Sequence, residues 1–170
     1  EGTDVSVRVE ENVTVCGRFH MKEASFPNIL FFHGNGEIVS DYDDLGPVYN
    51  GIGINFMPVD YRGYGQSTGT PTVTAMMNDS HRILDFVLAF KKSRGLSGPL
   101  TLMGRSLGSA SALELAGSRE ADFSNLIIES GFAHTGPLLR VLGVDPDRVG
   151  FPPSGVENVD KIARVSRPCL

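Results

Sequence analysis

Leu100-Thr101-Leu102-Met103-Gly104-Arg105-Ser106-Leu107-Gly108-Ser109-Ala110-Ser111-Ala112-Leu113-Glu114-Leu115-Ala116 is the stretch that decides the fold. Its first residues form a short apolar run, as expected of a strand buried on both faces. The run of small side chains after Gly108 reads as a helix. Between them, Gly104-Arg105-Ser106-Leu107-Gly108 spells Gly-x-Ser-x-Gly. Five residues with three fixed recur by chance, so the flanking context carries the reading. Strand, sharp turn and helix together expose a serine as a nucleophile. Such a turn forces Ser106 into a backbone conformation costing about 1–3 kcal/mol. Gly104 and Gly108, lacking Cβ atoms, let strand and helix approach. The helix N-terminus directs free N–H groups toward the reacting centre. The plainer alternative is a strand-helix turn with an incidental serine.

The same grammar repeats on either side. Ile29-Leu30-Phe31-Phe32 leads into His33-Gly34-Asn35-Gly36-Glu37. Ile54-Asn55-Phe56-Met57-Pro58-Val59 leads into Gly63 and Gly65, and Leu126-Ile127-Ile128 precedes Gly131. A helical pattern lies between two of these runs. Val73, Met76, Met77, Ser80, Ile83, Leu84 and Val87 share one face, with Asp79 and Arg82 expected to point away. Lys91, Lys92 and Arg94 collect before Gly95, where the helix dipole favours cations and glycine closes a helix. Strands alternating with helices give an α/β fold, a mostly parallel sheet with helices on both faces. The opening residues differ. Val5, Val7 and Val9, then Val13, Val15, Gly17 and Phe19, alternate with polar residues, which predicts an antiparallel N-terminal hairpin. Pro58 fits poorly, because proline removes a ladder donor; a bulge or a frayed strand end is the expectation.

Composition narrows the function classes. A chain of 170 residues suits one domain, since domains run roughly 100–200 residues. The net charge of −5 and the absence of a basic stripe argue against a nucleic-acid partner. No apolar run approaches the roughly 18 residues of a membrane span. Cys16 and Cys169 are too few for a disulfide framework and are expected to be reduced thiols. Neither has a zinc spacing, so no metal is expected. Glu1-Gly2-Thr3-Asp4 is not a signal peptide, and the expectation is a cytoplasmic protein. The stretch also lacks a Met, so the native N-terminus is expected to lie upstream.

His33-Gly34-Asn35-Gly36, Asp60-Tyr61-Arg62-Gly63-Tyr64-Gly65-Gln66-Ser67 and Gly104-Arg105-Ser106-Leu107-Gly108-Ser109, in that order and in those strand contexts, resemble the α/β-hydrolase superfamily. The likeness is to the small-capped branch of serine esterases, thioesterases and peptidase-like hydrolases, and it covers nearly the whole chain. It implies a Ser–acid–His triad, no cofactor and a small-molecule acyl substrate. It also implies an oxyanion hole from the backbone N–H groups of Asn35 and Leu107. Asp60 is expected to hydrogen-bond its own turn, with Arg62 fixing the loop beside the pocket. His33 is expected to brace its loop, and His81 to pack at the surface.

The triad order in this fold is serine, acid, histidine. His20, His33 and His81 precede Ser106 and fall outside it. His134 is the one histidine that follows. It comes soon after the Leu126–Ile128 strand, where a cap usually begins. The acid usually follows the next strand, which would start at Pro168-Cys169-Leu170; a minority place it after the preceding one, where Glu129 stands. Glu129 and His134 therefore stay open as alternatives to an acid and a histidine beyond Leu170. The fold is then expected to be incomplete at its C-terminus and the chain to be inactive alone. Residues 132–156, with Leu138, Leu139, Val141, Leu142 and Val144, are expected to form a short cap within the single domain.

The leading function is thus hydrolysis of an ester, thioester or amide through an acyl-enzyme on Ser106. A non-catalytic binding protein on the same fold is the alternative. A dinucleotide-binding domain is disfavoured, because Val39 and Thr68 stand where Gly-x-Gly-x-x-Gly needs its third glycine.

Overall fold

Alternation in the first residues produces the hairpin. β1 (Thr3–Glu10) and β2 (Val13–Phe19) pair antiparallel, with Val5 opposite Gly17 and Val7 opposite Val15. Val5, Val7, Val9, Val15 and Phe19 are buried, and the intervening residues of β1 are exposed. The computed structural model describes residues 2–141 and 157–170.

The continuous apolar runs become β3 (Asn28–Phe32), β4 (Asn55–Val59), β5 (Leu100–Arg105) and β6 (Asn125–Glu129). The sheet order is β1-β2-β4-β3-β5-β6, with β4, β3, β5 and β6 parallel to one another. Every residue of β3 and β4 is buried, which is why these runs show no alternation. Pro168, Cys169 and Leu170 extend the sheet beyond β6. Leu126 N–H donates to Pro168 O at 2.9 Å and Leu170 N–H to Leu126 O at 3.0 Å, in a parallel bridge. An isolated parallel bridge thus stands where the resemblance placed the next strand.

Pro58 is neither a bulge nor a frayed end. It lies inside β4, opposite Phe31 of β3. On the β2 side, Phe56 and His20 exchange hydrogen bonds of 3.0 and 2.8 Å, and Asp60 N–H donates to Cys16 O at 2.9 Å. Strand alternation puts Pro58 on that same side, between Phe56 and Asp60, so its missing N–H falls in a gap of the β2–β4 ladder. Gly17, paired with Val59, lies beside the gap, and a Cβ there would stand 2.8 Å from Pro58 O.

Both faces of the sheet are covered. α1 (Leu45–Gly51), with a 3-10 turn at Val39–Tyr42, packs against Ile29, Phe31, Phe56 and Met103; the Tyr49 and Phe56 rings stack at 4.4 Å. On the other face, α2 (Val73–Ser93) and α3 (Gly108–Ser118) bury Leu30, Phe32, Met57, Leu100 and Leu102. Thr72 caps α2, its hydroxyl accepting from Ala75 N–H at 3.1 Å. Gly95, at φ +65°, follows the cationic last turn. His81 of α2 is half-buried and lies 3.6 Å from Glu114 of α3, which also pairs with Lys161 of α5 (Asn158–Ile162) at 2.5 Å.

The α2 face departs from the expected pattern at two positions. Val73 is exposed. Asp79 is buried rather than solvent-facing. Asp79 lies three residues after Met76 and four before Ile83, inside the apolar stripe. Arg62 makes that burial tolerable, donating Nε to Asp79 Oδ2 at 2.7 Å and Nη2 to Oδ1 at 2.6 Å. Glu10 accepts a further bond from Nη2 at 2.8 Å, so Arg62 ties its loop to α2 and to the hairpin.

Of the expected cap, Thr135–Val141 form helix α4. Residues 142–156, including Leu142 and Val144, lie outside the described residues, as do the side chains of Leu138, Leu139 and Val141. Among the described residues, no helix is long and apolar enough to cross a membrane.

Candidate active site

Ser106 sits between the end of β5 and the first turn of α3 with φ +48°, a left-handed conformation that a serine adopts only when its surroundings enforce it. The enforcement is visible on both sides of the residue. Ser106 N–H donates to Glu129 O at 2.9 Å, docking the turn on β6. Ser106 O accepts from Ser109 N–H at 3.0 Å and from Ser109 Oγ at 2.6 Å. Asn158 of α5 reaches Ser109 Oγ at 3.4 Å and Phe132 O at 2.9 Å.

The two glycines make the turn possible. A Cβ on Gly104 would stand 2.4 Å from Gly108 O, and one on Gly108 would stand 2.0 Å from Phe32 O and 2.8 Å from His33 O. Helix α3 therefore starts hard against the end of β3, and the elbow lies beside the His33–Gly36 loop.

That loop is braced from three directions. His33 is fully buried, with Nδ1 2.8 Å from Gly34 O and Nε2 3.2 Å from Asp60 Oδ1, while Tyr61 donates to His33 O at 2.6 Å. Asp60 Oδ1 also accepts from Val39 N–H at 2.9 Å. The expectation that Asp60 bonds its own turn is thus corrected. Its carboxylate packs against Gly65, where a Cβ would lie 2.3 Å from Oδ2, but its bonds go to the 3-10 turn and to His33. Tyr64 donates to Asn35 Oδ1 at 2.8 Å.

Glu37 supplies the third brace, a role the sequence pattern did not reveal. Its Oε2 accepts from Gly34 N–H and from Tyr42 Oη, each at 2.6 Å; its Oε1 pairs with Arg105 Nη1 at 2.8 Å. Arg105, the residue before Ser106, thereby straps the elbow to the glycine loop. Burial opposes ionisation of Glu37, yet the bonds from Tyr42 and Gly34 and the Arg105 charge hold its carboxyl below the ordinary range. Burial, then the bond to Glu37, pushes the Tyr42 phenol up to about 12, so it remains a donor at neutral pH.

A carboxyl depressed in the folded state stabilises above its unfolded pKa, and that stability is lost as pH falls through the folded value. Glu37→Gln is accordingly expected to cost ~1–2 kcal/mol at pH 7. The difference from wild type should shrink below about pH 4.5, the carboxyl's ordinary value. Urea midpoints across pH 3 to 7 check this; a loss equal at every pH would mean that the charge is not what matters.

Asn35 and Leu107 flank the turn on the loop and at the start of α3. Glu129 offers its main-chain oxygen to Ser106, while its half-exposed carboxylate faces Arg105 Nε at 3.5 Å. His134 is exposed and its Nδ1 is bonded to Glu157. The two alternative triad members thus have different partners, and among the described residues no histidine is hydrogen-bonded to Ser106.

The chain is similar to known proteins in both sequence and fold. A family model described as serine aminopeptidase, S33, matches residues 24–145. Lysophosphatidylserine lipase ABHD12 of Xenopus tropicalis is 34% identical over 115 residues, covering 65% of this chain and 29% of that protein. Protein bem46 of Schizosaccharomyces pombe is 26% identical over 132 residues, covering 75% and 44%. The chain thus spans less than half the length of either relative. Among solved structures, Est1E of Butyrivibrio proteoclasticus with ferulic acid bound superposes with a TM-score of 0.73 at 16% identity, covering 97% of this chain and 76% of that one. At that identity the likeness speaks for the fold alone.

Proposed function

Because the chain belongs to the serine aminopeptidase S33 family of α/β-hydrolases, we propose that it forms the nucleophile-bearing part of a serine hydrolase that cleaves an ester, thioester or amide through an acyl-enzyme on Ser106. The observation that carries this reading is the left-handed Ser106, held at φ +48° by bonds to both of its neighbours in the fold. Backbone strain of this kind persists where function requires it. The lipase named among the relatives favours a carboxylic ester of an apolar acyl group as the substrate.

In this mechanism Ser106 Oγ attacks the acyl carbonyl carbon and its proton passes to a histidine base. The carbonyl π electrons move onto oxygen, where the Asn35 and Leu107 N–H groups receive the charge. Each such donor is worth roughly 2.7–4 kcal/mol in the transition state. The oxyanion collapses, the bond to the leaving group breaks, and the histidine returns its proton to that group. Water then repeats the sequence on the acyl-enzyme and frees the acid. We assign the base and its orienting acid to sequence following Leu170. The short span relative to the relatives, and the separate partners of Glu129 and His134, favour this over those two residues.

The test compares residues 1–170 with the full gene product that carries them, on p-nitrophenyl acetate. The full product is expected to turn over and the 170-residue chain to give negligible rate. Turnover by 1–170 that Glu129→Ala or His134→Ala abolishes would put the triad inside this chain. Absence of turnover in both would favour the non-catalytic binding protein.

A further inference from the structure

The main-chain oxygen of Ser106 is held twice. Ser109 N–H donates to it at 3.0 Å, and Ser109 Oγ donates to it at 2.6 Å. Ser109 is fully buried, and Asn158 Nδ2 reaches its hydroxyl at 3.4 Å. Asn158 stands at the first position of α5 and is 1% exposed, so its side chain is turned into the core. The loop after β6 closes on the same point, where a Cβ on Gly131 would stand 3.2 Å from Ser109 Cβ.

The ends of this chain of bonds fix its direction. Phe132 O, 2.9 Å from the same Asn158 nitrogen, can only accept, so the atom facing it is the amide NH₂. That group can only donate, so Ser109 Oγ accepts from it. The Ser109 proton is then left for Ser106 O, which also only accepts. A serine bonded back to a carbonyl of the preceding turn is common in helices. Here a buried residue of a separate element, 49 positions further along the chain, supports that bond.

Peptide planarity carries the effect to the site. Ser106 C=O and Leu107 N–H belong to one trans peptide, a rigid plane in which the two groups point opposite ways. Fixing the oxygen therefore fixes the direction of the N–H. Bonds accepted by the oxygen also polarise the peptide and strengthen its N–H as a donor. That N–H is one of the two assigned to the oxyanion.

We propose that Ser109 and Asn158 are positioning residues that aim and strengthen the Leu107 N–H as an oxyanion donor, an assignment that rests on Ser106 acting as the nucleophile. Both are buried and act through the Ser106–Leu107 peptide, not on the substrate. A donor aimed at developing charge contributes in the transition state and not to ground-state binding, so the effect belongs to kcat rather than KM.

The experiment measures kcat and KM of the full gene product on p-nitrophenyl acetate, together with inhibition by trifluoroacetone, whose carbonyl the serine would convert to a tetrahedral oxyanion. Ser109→Ala keeps the helix and the Ser109 N–H bond and removes only the hydroxyl. Loss of a whole donor lowers kcat about 10²–10³-fold, so loss of its aim is expected to lower kcat about tenfold, with KM unchanged. Trifluoroacetone inhibition should weaken by a similar factor. Asn158→Asp replaces the amide with a group that only accepts, which turns the Ser109 proton away from Ser106 O. It should reproduce the kcat loss and add nothing further in the Ser109→Ala background. Melting temperatures identify misfolding, and Ser109→Ala decides alone if Asn158→Asp does not fold. A loss carried by KM, unchanged trifluoroacetone inhibition, or losses from the two substitutions that multiply would overturn the assignment. If the unsubstituted protein shows no Ser106-dependent turnover, the hydrolase reading fails and the assignment fails with it.

Discussion

Ser106→Ala is expected to lower ester turnover of the full gene product by about 10⁴-fold or more, with KM little changed. In the proposed mechanism the hydroxyl is the attacking atom, and what survives its removal is the contribution of oxyanion donors and binding. The left-handed backbone adds a second readout. Alanine keeps the Cβ that makes φ +48° costly, while glycine does not. Ser106→Gly should therefore be as inactive as Ser106→Ala yet more stable by about 1 kcal/mol. Calorimetry of the two variants checks this. Equal stabilities would mean that the turn stores no strain at the nucleophile.

The largest loss of stability is expected from Arg62→Ala. Asp79 is 3% exposed and receives two bonds from the guanidinium. Removing Arg62 leaves that carboxylate buried and uncompensated, which costs ~3–5 kcal/mol. The paired replacement Arg62→Leu with Asp79→Leu should recover most of the loss, because it removes both charges and fills the space. The bond from Arg62 to Glu10 adds little, since Glu10 is exposed. Urea denaturation of the single and double variants measures this. A single variant within ~0.5 kcal/mol of wild type would show that Asp79 finds water or another partner.

The sequence was most legible where structure follows from near neighbours. The elbow requires glycine at 104 and 108 and a serine between them, and the close approaches that a Cβ would make at both glycines show why. The hairpin alternation was an equally local signal. Legibility failed where a side chain's partner is chosen by the order of strands in the sheet. Asp79 looked solvent-facing because it is charged and was grouped with Arg82 off the apolar face; its partner Arg62 lies in the loop after β4. Asp60 looked like a turn residue because the groups that bond it, His33 and Val39, come from the end of the neighbouring strand and the turn beyond it. Pro58 looked misplaced because the gap it occupies belongs to the β2–β4 ladder. At the site, Glu37 left one local trace, its spacing three residues after Gly34, which suits a side chain closing back on a backbone N–H. Its link to Arg105 had no such trace, because it spans from the loop after β3 to the end of β5.

The most direct measurement is to treat the full gene product with a fluorophosphonate and locate the adduct by peptide mass spectrometry. A single adduct on the peptide containing Ser106, absent from the Ser106→Ala variant, is the expected result. An adduct elsewhere with Ser106 unmodified, or undiminished labelling of Ser106→Ala, would contradict Ser106 as the nucleophile.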